Sequence, residues 1–363
     1  GMATKDEDFV TRLFVANTHT PILFFSSRGI VYKEKVWRLP VGTPQSRGKF
    51  LRNMLPLQED ERITTIMPLP EDEDSWGELD VMFATTGGTV RRNKLSDFVQ
   101  VNRNGKIAMK LEEDGAEILN VATCSEDDDV LLTTSLGQCI RFPVTDIRVF
   151  AGRNSVGVRG ISLGEDDSVI SMSILRHSDA TPAERTAYLK QAAALRRQGD
   201  EADDEPVVAE EAENGEASLT ETEFAAMAEA EEFVLTVSEY GSGKRSSSYD
   251  FRVSGRGGKG IRATDTSKTA EIGTLVAAFP VEANDQIMLV TNSGKVIRVP
   301  VEGIRFASRA TKGVKIFTTA EGERIVSVER IREPEDNGED EDETAETPDT
   351  PDTADGEAPE SEE

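Results

Sequence analysis

One unit recurs five times along the chain, and a period of about fifty residues constrains the fold more tightly than any local propensity. Its first half is an apolar run, a polar turn containing glycine and a second short run ending in a base. The copies are Ile22–Lys33, Asp80–Arg92, Asp129–Arg141, the more degenerate Glu232–Arg245, and Asp285–Arg298. β-Branched and aromatic residues on both arms, with Gly where the turn needs positive φ, predict a β-hairpin in each copy. The second half is a turn rich in bases and glycine: Ser46–Lys49, Arg103–Ile107, Arg153–Arg159, Gly255–Ile261 and Arg309–Lys315. An acidic turn and an apolar run follow, such as Glu61–Ile66 or Glu323–Val328. About four strands per unit result. Asp80 and Asp129 lie 49 residues apart and Glu232 and Asp285 lie 53 apart, the blade length of a propeller-like, all-β array.

The step from Asp129 to Glu232 is 103 residues, one period plus an insertion. Within residues 177–231, Thr181-Pro182-Ala183-Glu184 reads as a capping box with Pro at the first helical position, and Thr220-Glu221-Thr222-Glu223 as a second box. The expectation is two short helices joined by a disordered acidic loop at about Asp200–Ala217. The tail, 333–363, is rich in Asp, Glu, Thr and Pro, and its composition predicts disorder. It holds 16 acids and no base, and the insertion holds 15 acids and 4 bases, so together they carry the whole net charge of −27. The remaining residues balance at 37 acids and 37 bases. An acidic pI therefore describes two appendages and does not argue against a nucleic-acid partner.

No apolar run approaches the ~20 residues of a membrane span, and nothing at the N-terminus reads as a signal peptide. With two Cys and two His, the chain supplies neither a disulfide framework nor a four-ligand zinc site. It reads as cytosolic and metal-free, and Cys124 and Cys139 as small core residues of strands. Neither His lies where the repeat would bring it to a Ser or Cys nucleophile, so no catalytic residue is assigned. Glu71–Asp74 and Glu126–Asp129 lack the glycine and closing Glu of an EF-hand loop and read as solvated turns. Gly255–Gly260 satisfies G-x-G-x-x-G, but a strand-like segment from Ile261 follows where a dinucleotide site needs a helix.

The bases of these turns form the candidate binding site. They are Arg47, Lys49 and Arg52 in the first unit, and Arg91, Arg92 and Lys94 with Arg103, Lys106 and Lys110 in the second. Arg141, Arg153 and Arg159 follow in the third, then Lys244, Arg245, Arg256, Lys259 and Arg262 in the fourth, and Lys295, Arg298, Arg309, Lys312 and Lys315 in the fifth. Equivalent positions of successive blades share radius and height, so these side chains would line one rim as a band matching a bent polyanion. The plainer reading is a polar edge blunted by Lys and Arg. Recurrence at glycine turns, where backbone N–H groups can also approach phosphates, favours DNA.

The run from Glu7-Asp8-Phe9 through Val15-Ala16-Asn17-Thr18-His19, then Phe25-Ser26-Ser27-Arg28-Gly29, Asn53-Met54-Leu55-Pro56-Leu57 and Val156-Gly157-Val158-Arg159-Gly160-Ile161, closely resembles the C-terminal domain of bacterial DNA gyrase A. The resemblance covers residues 3–176 and 232–332. It implies a β-pinwheel over 1–332, whose four-stranded blades exchange hairpins with their neighbours. It implies a function too: sequence-tolerant binding, bending and wrapping of double-stranded DNA on the basic rim, so that strand passage elsewhere introduces negative supercoils. No cofactor is implied here, ATP and Mg being used by other parts of the holoenzyme. The implied partners are the breakage-reunion domain of the same polypeptide and gyrase B, with the isolated domain monomeric, cytoplasmic and without catalysis of its own.

Two departures accompany the resemblance. The family's first blade ends in a Gln-Arg-Arg-Gly-Gly-Lys-Gly box, and the match here starts just after it, leaving about residues 1–16 as a remnant before five full blades. The breakage-reunion domain with its catalytic tyrosine is also missing. The alternatives are the equivalent C-terminal domain of topoisomerase IV, and a protein-interaction propeller, although neither Trp37 nor Trp76 forms a Trp-Asp signature.

Overall fold

The computed structural model describes residues 14, 16–43, 46–112, 115–198 and 218–331. The expected acidic loop at Asp200–Ala217, the tail 333–363 and nearly all of the expected first-blade remnant lie outside these residues.

Each repeat folds into the hairpin its sequence predicts and adds one further long strand. The hairpins are Pro21–Ser26 with Ile30–Lys35, Asp80–Thr85 with Thr89–Lys94, Asp128–Thr134 with Gln138–Pro143, Phe233–Ser238 with Ser242–Ser247, and Gln286–Thr291 with Val296–Pro300. Against the first arm of each lies a strand from the end of the same repeat: Ile63–Pro68, Ile118–Cys124, Val169–Arg176, Leu275–Val281 and Ile325–Ile331. The first arms of sheets 1 and 2, Pro21–Ser26 and Asp80–Thr85, are buried throughout: sheet 2 lies between two neighbouring sheets, and the Ile22 and Phe24 face of sheet 1 is covered by Leu55 and partly buried residues of its own repeat. That is why they read as unbroken apolar runs and not as alternation.

The fourth strand of a sheet comes from the next repeat. Lys106–Ile107 joins sheet 1, Val158–Arg159 joins sheet 2, Ile261–Arg262 joins sheet 3 and Val314–Lys315 joins sheet 4. Each is two residues long, so the exchange takes the form of a short edge strand. Sheet 5 has three strands among the described residues. The incoming chain closes over the hairpin glycine: Ala108, Gly160, Ala263 and Ile316 donate their N–H to the carbonyls of Gly29, Gly88, Gly137 and Gly241 at 2.8–2.9 Å.

The core lies between successive sheets. Phe25 of sheet 1 meets Phe83 of sheet 2 edge to face at 5.6 Å, with Trp76 and Phe98 buried around them. Equivalent clusters join sheets 2 and 3 around Leu132 and Phe142, sheets 3 and 4 around Leu131 and Phe251, and sheets 4 and 5 around Leu235 and Leu289. The strands contributed last by each repeat contact one another in series and line a cavity of about 880 Å³. Cys124 and Cys139 are buried, as expected for core residues, and burial pushes both thiols up to about 12.

In the insertion, α1 (Pro182–Gln198) and α2 (Glu221–Ala230) start at the predicted capping boxes. Glu184 accepts from the N–H and hydroxyl of Thr181, and Glu223 from those of Thr220, at 2.7–2.8 Å. Tyr188 and Leu189 of α1 and Phe224 and Met227 of α2 pack on Tyr249, in the turn that follows the sheet 4 hairpin. Arg196 stacks over Phe306 of the fifth repeat at 4.6 Å, so the helical pair spans the junction of sheets 4 and 5. Among the described residues no helix is long and apolar enough to cross a membrane.

Candidate nucleic-acid interface

Strand pairing defines which bases occupy equivalent places. The second residue of each incoming edge strand pairs with the residue after the hairpin glycine: Ile107 with Ile30, Arg159 with Thr89, Arg262 with Gln138, and Lys315 with Ser242. All four are exposed. Arg159, Arg262 and Lys315 therefore form a register-equivalent row of cations on the outermost strands of sheets 2, 3 and 4, with Ile107 standing in the row on sheet 1. Two residues before each strand, Lys259 and Lys312 occupy one position, filled by Asn104 and Val156 in the other units.

Six of the expected rim bases are elsewhere. Arg91, Arg92, Arg141, Lys244, Arg245 and Arg309 are 0–8 % exposed and do not form a solvent-facing band. Arg92, Arg141 and Arg245 share a register position opposite Met82, Leu131 and Leu235. Each reaches into the next repeat. Arg92 donates from Nη1 to the Ile147 carbonyl at 3.3 Å, Arg141 from Nη1 to that of Ser248 at 2.7 Å, and Arg245 from Nε to that of Ile304 at 2.5 Å. Lys33 does the same in sheet 1, to Val99 at 2.8 Å. These are latches between sheets: a buried guanidinium persists only where carbonyls and carboxylates replace its water. Arg298, at the equivalent place in sheet 5, is exposed.

The acidic runs belong to the same latches. Asp80 and Glu126 accept from Arg92 at 2.6 and 3.0 Å, Asp129 accepts from Arg141 at 2.7 Å and approaches Nδ1 of His177 at 2.7 Å, and Glu73 pairs with Lys33 at 2.8 Å. Asp129 is buried and Glu73 partly so, which corrects their reading as solvated turns; Glu126 stays exposed in its turn, as expected, while pairing with Arg92. A buried base left without its acid costs about 3–5 kcal/mol.

The register position next to the latch holds Arg91 and Lys244, opposite Phe83 and Thr236. Both turn under the incoming loop. Arg91 donates to the carbonyls of Arg153, at 3.1 Å, and Ser155, and Lys244 to those of Arg309, at 2.7 Å, and Thr311. Desolvation lowers the Arg91 pKa, and the nearby charges of Arg153 and Arg148 lower it further against the opposing Asp97. Five residues ahead of their edge strands, Arg153, Arg256 and Arg309 donate to the carbonyls of Asp97, Asp146 and Asp250 at 3.2, 3.1 and 2.8 Å. Val101 holds that place in the second repeat, so Arg103, Lys106 and Lys110 do not match the bases of the other turns in register.

The remaining expected bases lie at the surface. Arg47, Lys49, Arg103, Lys110 and Lys259 are exposed; Arg52 is exposed and donates to the Glu59 carbonyl; Lys106 is half-buried and donates to the Gln100 carbonyl at 2.7 Å. Lys94 pairs with Asp80 at 2.8 Å, Lys295 with Glu323 at 3.0 Å and Lys312 with Glu271 at 2.6 Å, each from a partly exposed side chain. Sequence reading missed a further set. Val149, Val253 and Phe306 bridge in parallel to Arg92, Arg141 and Arg245, which makes the preceding Arg148, Arg252 and Arg305 equivalent. The repeated apolar-Arg-apolar triplet was the available signal. Arg148 is exposed and stacks on Phe150 at 4.3 Å.

Comparison with known proteins matches the five repeats. A family profile described as "DNA gyrase C-terminal domain, beta-propeller" matches residues 20–70, 79–125, 128–176, 232–282 and 285–332, the five repeats. DNA gyrase A of Granulibacter bethesdensis is 48 % identical over 353 residues, covering 94 % of this chain and 37 % of that protein. DNA gyrase A of Escherichia coli is 35 % identical over 332 residues, 92 % and 31 % of the two chains. The chain thus spans about a third of the length of these relatives. Among solved structures, the C-terminal domain of DNA topoisomerase IV superposes with TM-score 0.68 at 19 % identity, covering 91 % of this chain and 84 % of that one. A DNA gyrase A C-terminal domain does so with TM-score 0.60, also at 19 % identity, covering 87 % and 84 %. At such identity these two establish the fold alone.

Proposed function

The chain belongs to the DNA gyrase C-terminal domain family, and from that premise we propose that it binds double-stranded DNA along its outer strands, without sequence preference, and bends it. The observation that carries this reading is the register-equivalent row Arg159, Arg262 and Lys315, cations presented at the same place on successive sheets. Regular spacing of positive side chains on edge strands suits the phosphate backbone and carries no code for base edges. Bending is offset by the contacts it permits at each further sheet.

Within the full-length protein, the wrapped segment would be handed to the breakage-reunion domain so that strand passage introduces negative supercoils. Chemistry, ATP and Mg belong to that domain and to gyrase B, in the cytoplasm. The test is fluorescence anisotropy on a mixed-sequence duplex of ~40 base pairs across a salt series, where a steep log–log slope equivalent to roughly 6–10 phosphate contacts is expected. No binding at low salt would overturn the reading in favour of a protein partner.

A further inference from the structure

Two incoming turns differ from the others in what lies beneath them. Under the turn of the third repeat is Arg91, and under that of the fifth is Lys244; at the same register, opposite Phe24 and Leu132, stand Tyr32 and Ile140. Tyr32 spends its hydroxyl on Glu61 at 3.0 Å, and Ile140 is apolar. At this register a buried cation is thus present at the junctions of sheets 2 with 3 and 4 with 5.

A trans peptide holds its C=O and N–H antiparallel. The carbonyls of Arg153 and Ser155 point inward to Arg91, so the N–H groups of Asn154 and Val156 point away from it. Neither has an acceptor among the described residues, Asn154 is exposed, and Val156 is half-buried. The same geometry at Lys244 turns the N–H of Ala310 outward from the Arg309 carbonyl. The turn of the fourth repeat, lying over Ile140, behaves differently: Gly257 commits its N–H to the Gly160 carbonyl at 2.6 Å.

We propose that the turn over Arg91 is a phosphate seat made of main chain, in which the N–H groups of Asn154 and Val156 bind a DNA phosphate, with Ala310 over Lys244 as a second seat. Asn154 and Val156 are alternate residues, so the seat is a pair of N–H groups pointing the same way, a simpler relative of the concavity that successive N–H groups form around an anion. Arg91 and Lys244 are positioning residues: they orient the peptides from inside without touching the anion. Exposed Arg148 and Arg159 belong to the same repeat, six residues before Asn154 and three after Val156. The proposal rests on the DNA reading above and adds which atoms take the phosphate.

The experiment is a transverse-relaxation-optimised amide spectrum of the deuterated chain, titrated with a 20-base-pair duplex at low salt. The amide protons of Asn154, Val156 and Ala310 are expected to move downfield, and that of Gly257 to stay. In parallel, Arg91→Met should weaken duplex binding about tenfold, the worth of one charge-assisted hydrogen bond, with an unchanged salt slope. Arg159→Gln should instead lower the slope by about 0.9. A duplex that binds while the three amides stay in place overturns the seat and leaves the DNA reading intact. A slope that falls in Arg91→Met also overturns it, because Arg91 would then meet phosphate directly. Absence of binding overturns both, and if Arg91→Met fails to fold, the wild-type spectrum alone decides.

Discussion

Nε of Arg141 donates to Oδ2 of Asp129 at 2.7 Å, with the carboxylate fully buried and the guanidinium nearly so, and Arg92 repeats the arrangement on Asp80 at 2.6 Å one sheet earlier. The pair does more than join two strands of one hairpin. The same guanidinium holds the Ser248 carbonyl of the next repeat, so a local ion pair sets the spacing between sheets.

Removing the acid strands a buried cation. Asp129→Ala should destabilise the chain by about 3–5 kcal/mol, measured by urea unfolding. Arg141→Gln should likewise lose stability while leaving the salt slope of DNA binding untouched. A slope reduced by about 0.9 would return Arg141 to the DNA surface.

The row of edge-strand cations predicts the opposite behaviour. Arg159→Gln, Arg262→Gln and Lys315→Gln should each flatten the slope by about 0.9, and Arg159→Gln should change stability by no more than about 0.5 kcal/mol. Ile107 is the informative gap: Ile107→Arg should tighten binding and steepen the slope by the same amount, read from the same salt series. Lys312→Glu with Lys315→Glu should weaken binding, partly because the first also faces Glu271 at 2.6 Å.

Hairpin glycines separate conformational strain from crowding. Gly241 has φ +79°, and a Cβ there would stand 2.0 Å from the Phe317 carbonyl oxygen; Gly294 has φ +82° and open space. Gly294→Ala should cost about 1–2 kcal/mol for the left-handed backbone alone. Gly241→Ala should cost more and loosen the incoming strand, detected as faster amide exchange at Ile316. Equal costs would show that closure of the next repeat over Gly241 contributes nothing.

Acid should weaken sheet 5 through Glu323. Its carboxylate accepts from the Ala320 N–H at 2.9 Å, from the Ser293 and Thr291 hydroxyls at 2.7 and 3.0 Å, and from Lys295, and these bonds, the backbone one foremost, hold its pKa down to about 2. A carboxylate depressed in the folded state contributes its full stability above its unfolded pKa of about 4.3 and loses it as pH falls toward 2. Glu323→Gln should therefore be less stable than wild type at neutral pH, with the difference shrinking between about pH 4.3 and 2. A pH-independent difference would assign the loss to packing.

The repeating units are written locally. An apolar run that folds back at a glycine depends on its own residues alone, legible at Ile22–Lys33 and Asp285–Arg298 alike, and so were both capping boxes of the insertion. The position of the bases was legible as well; their fate was not. Arg91, Arg92 and Arg159 all read as bases near a glycine turn, yet the first two are buried and the third is exposed. What separates them is chain 55 to 64 residues away: the carbonyls of Ile147, Arg153 and Ser155 solvate the buried pair in place of water. A cation can leave solvent only where such groups replace its hydration, and only the docking of one sheet on the next brings them there. Sequence thus set where each base stands along its strand, and packing sorted those that hold the array together from those that remain to meet a polyanion.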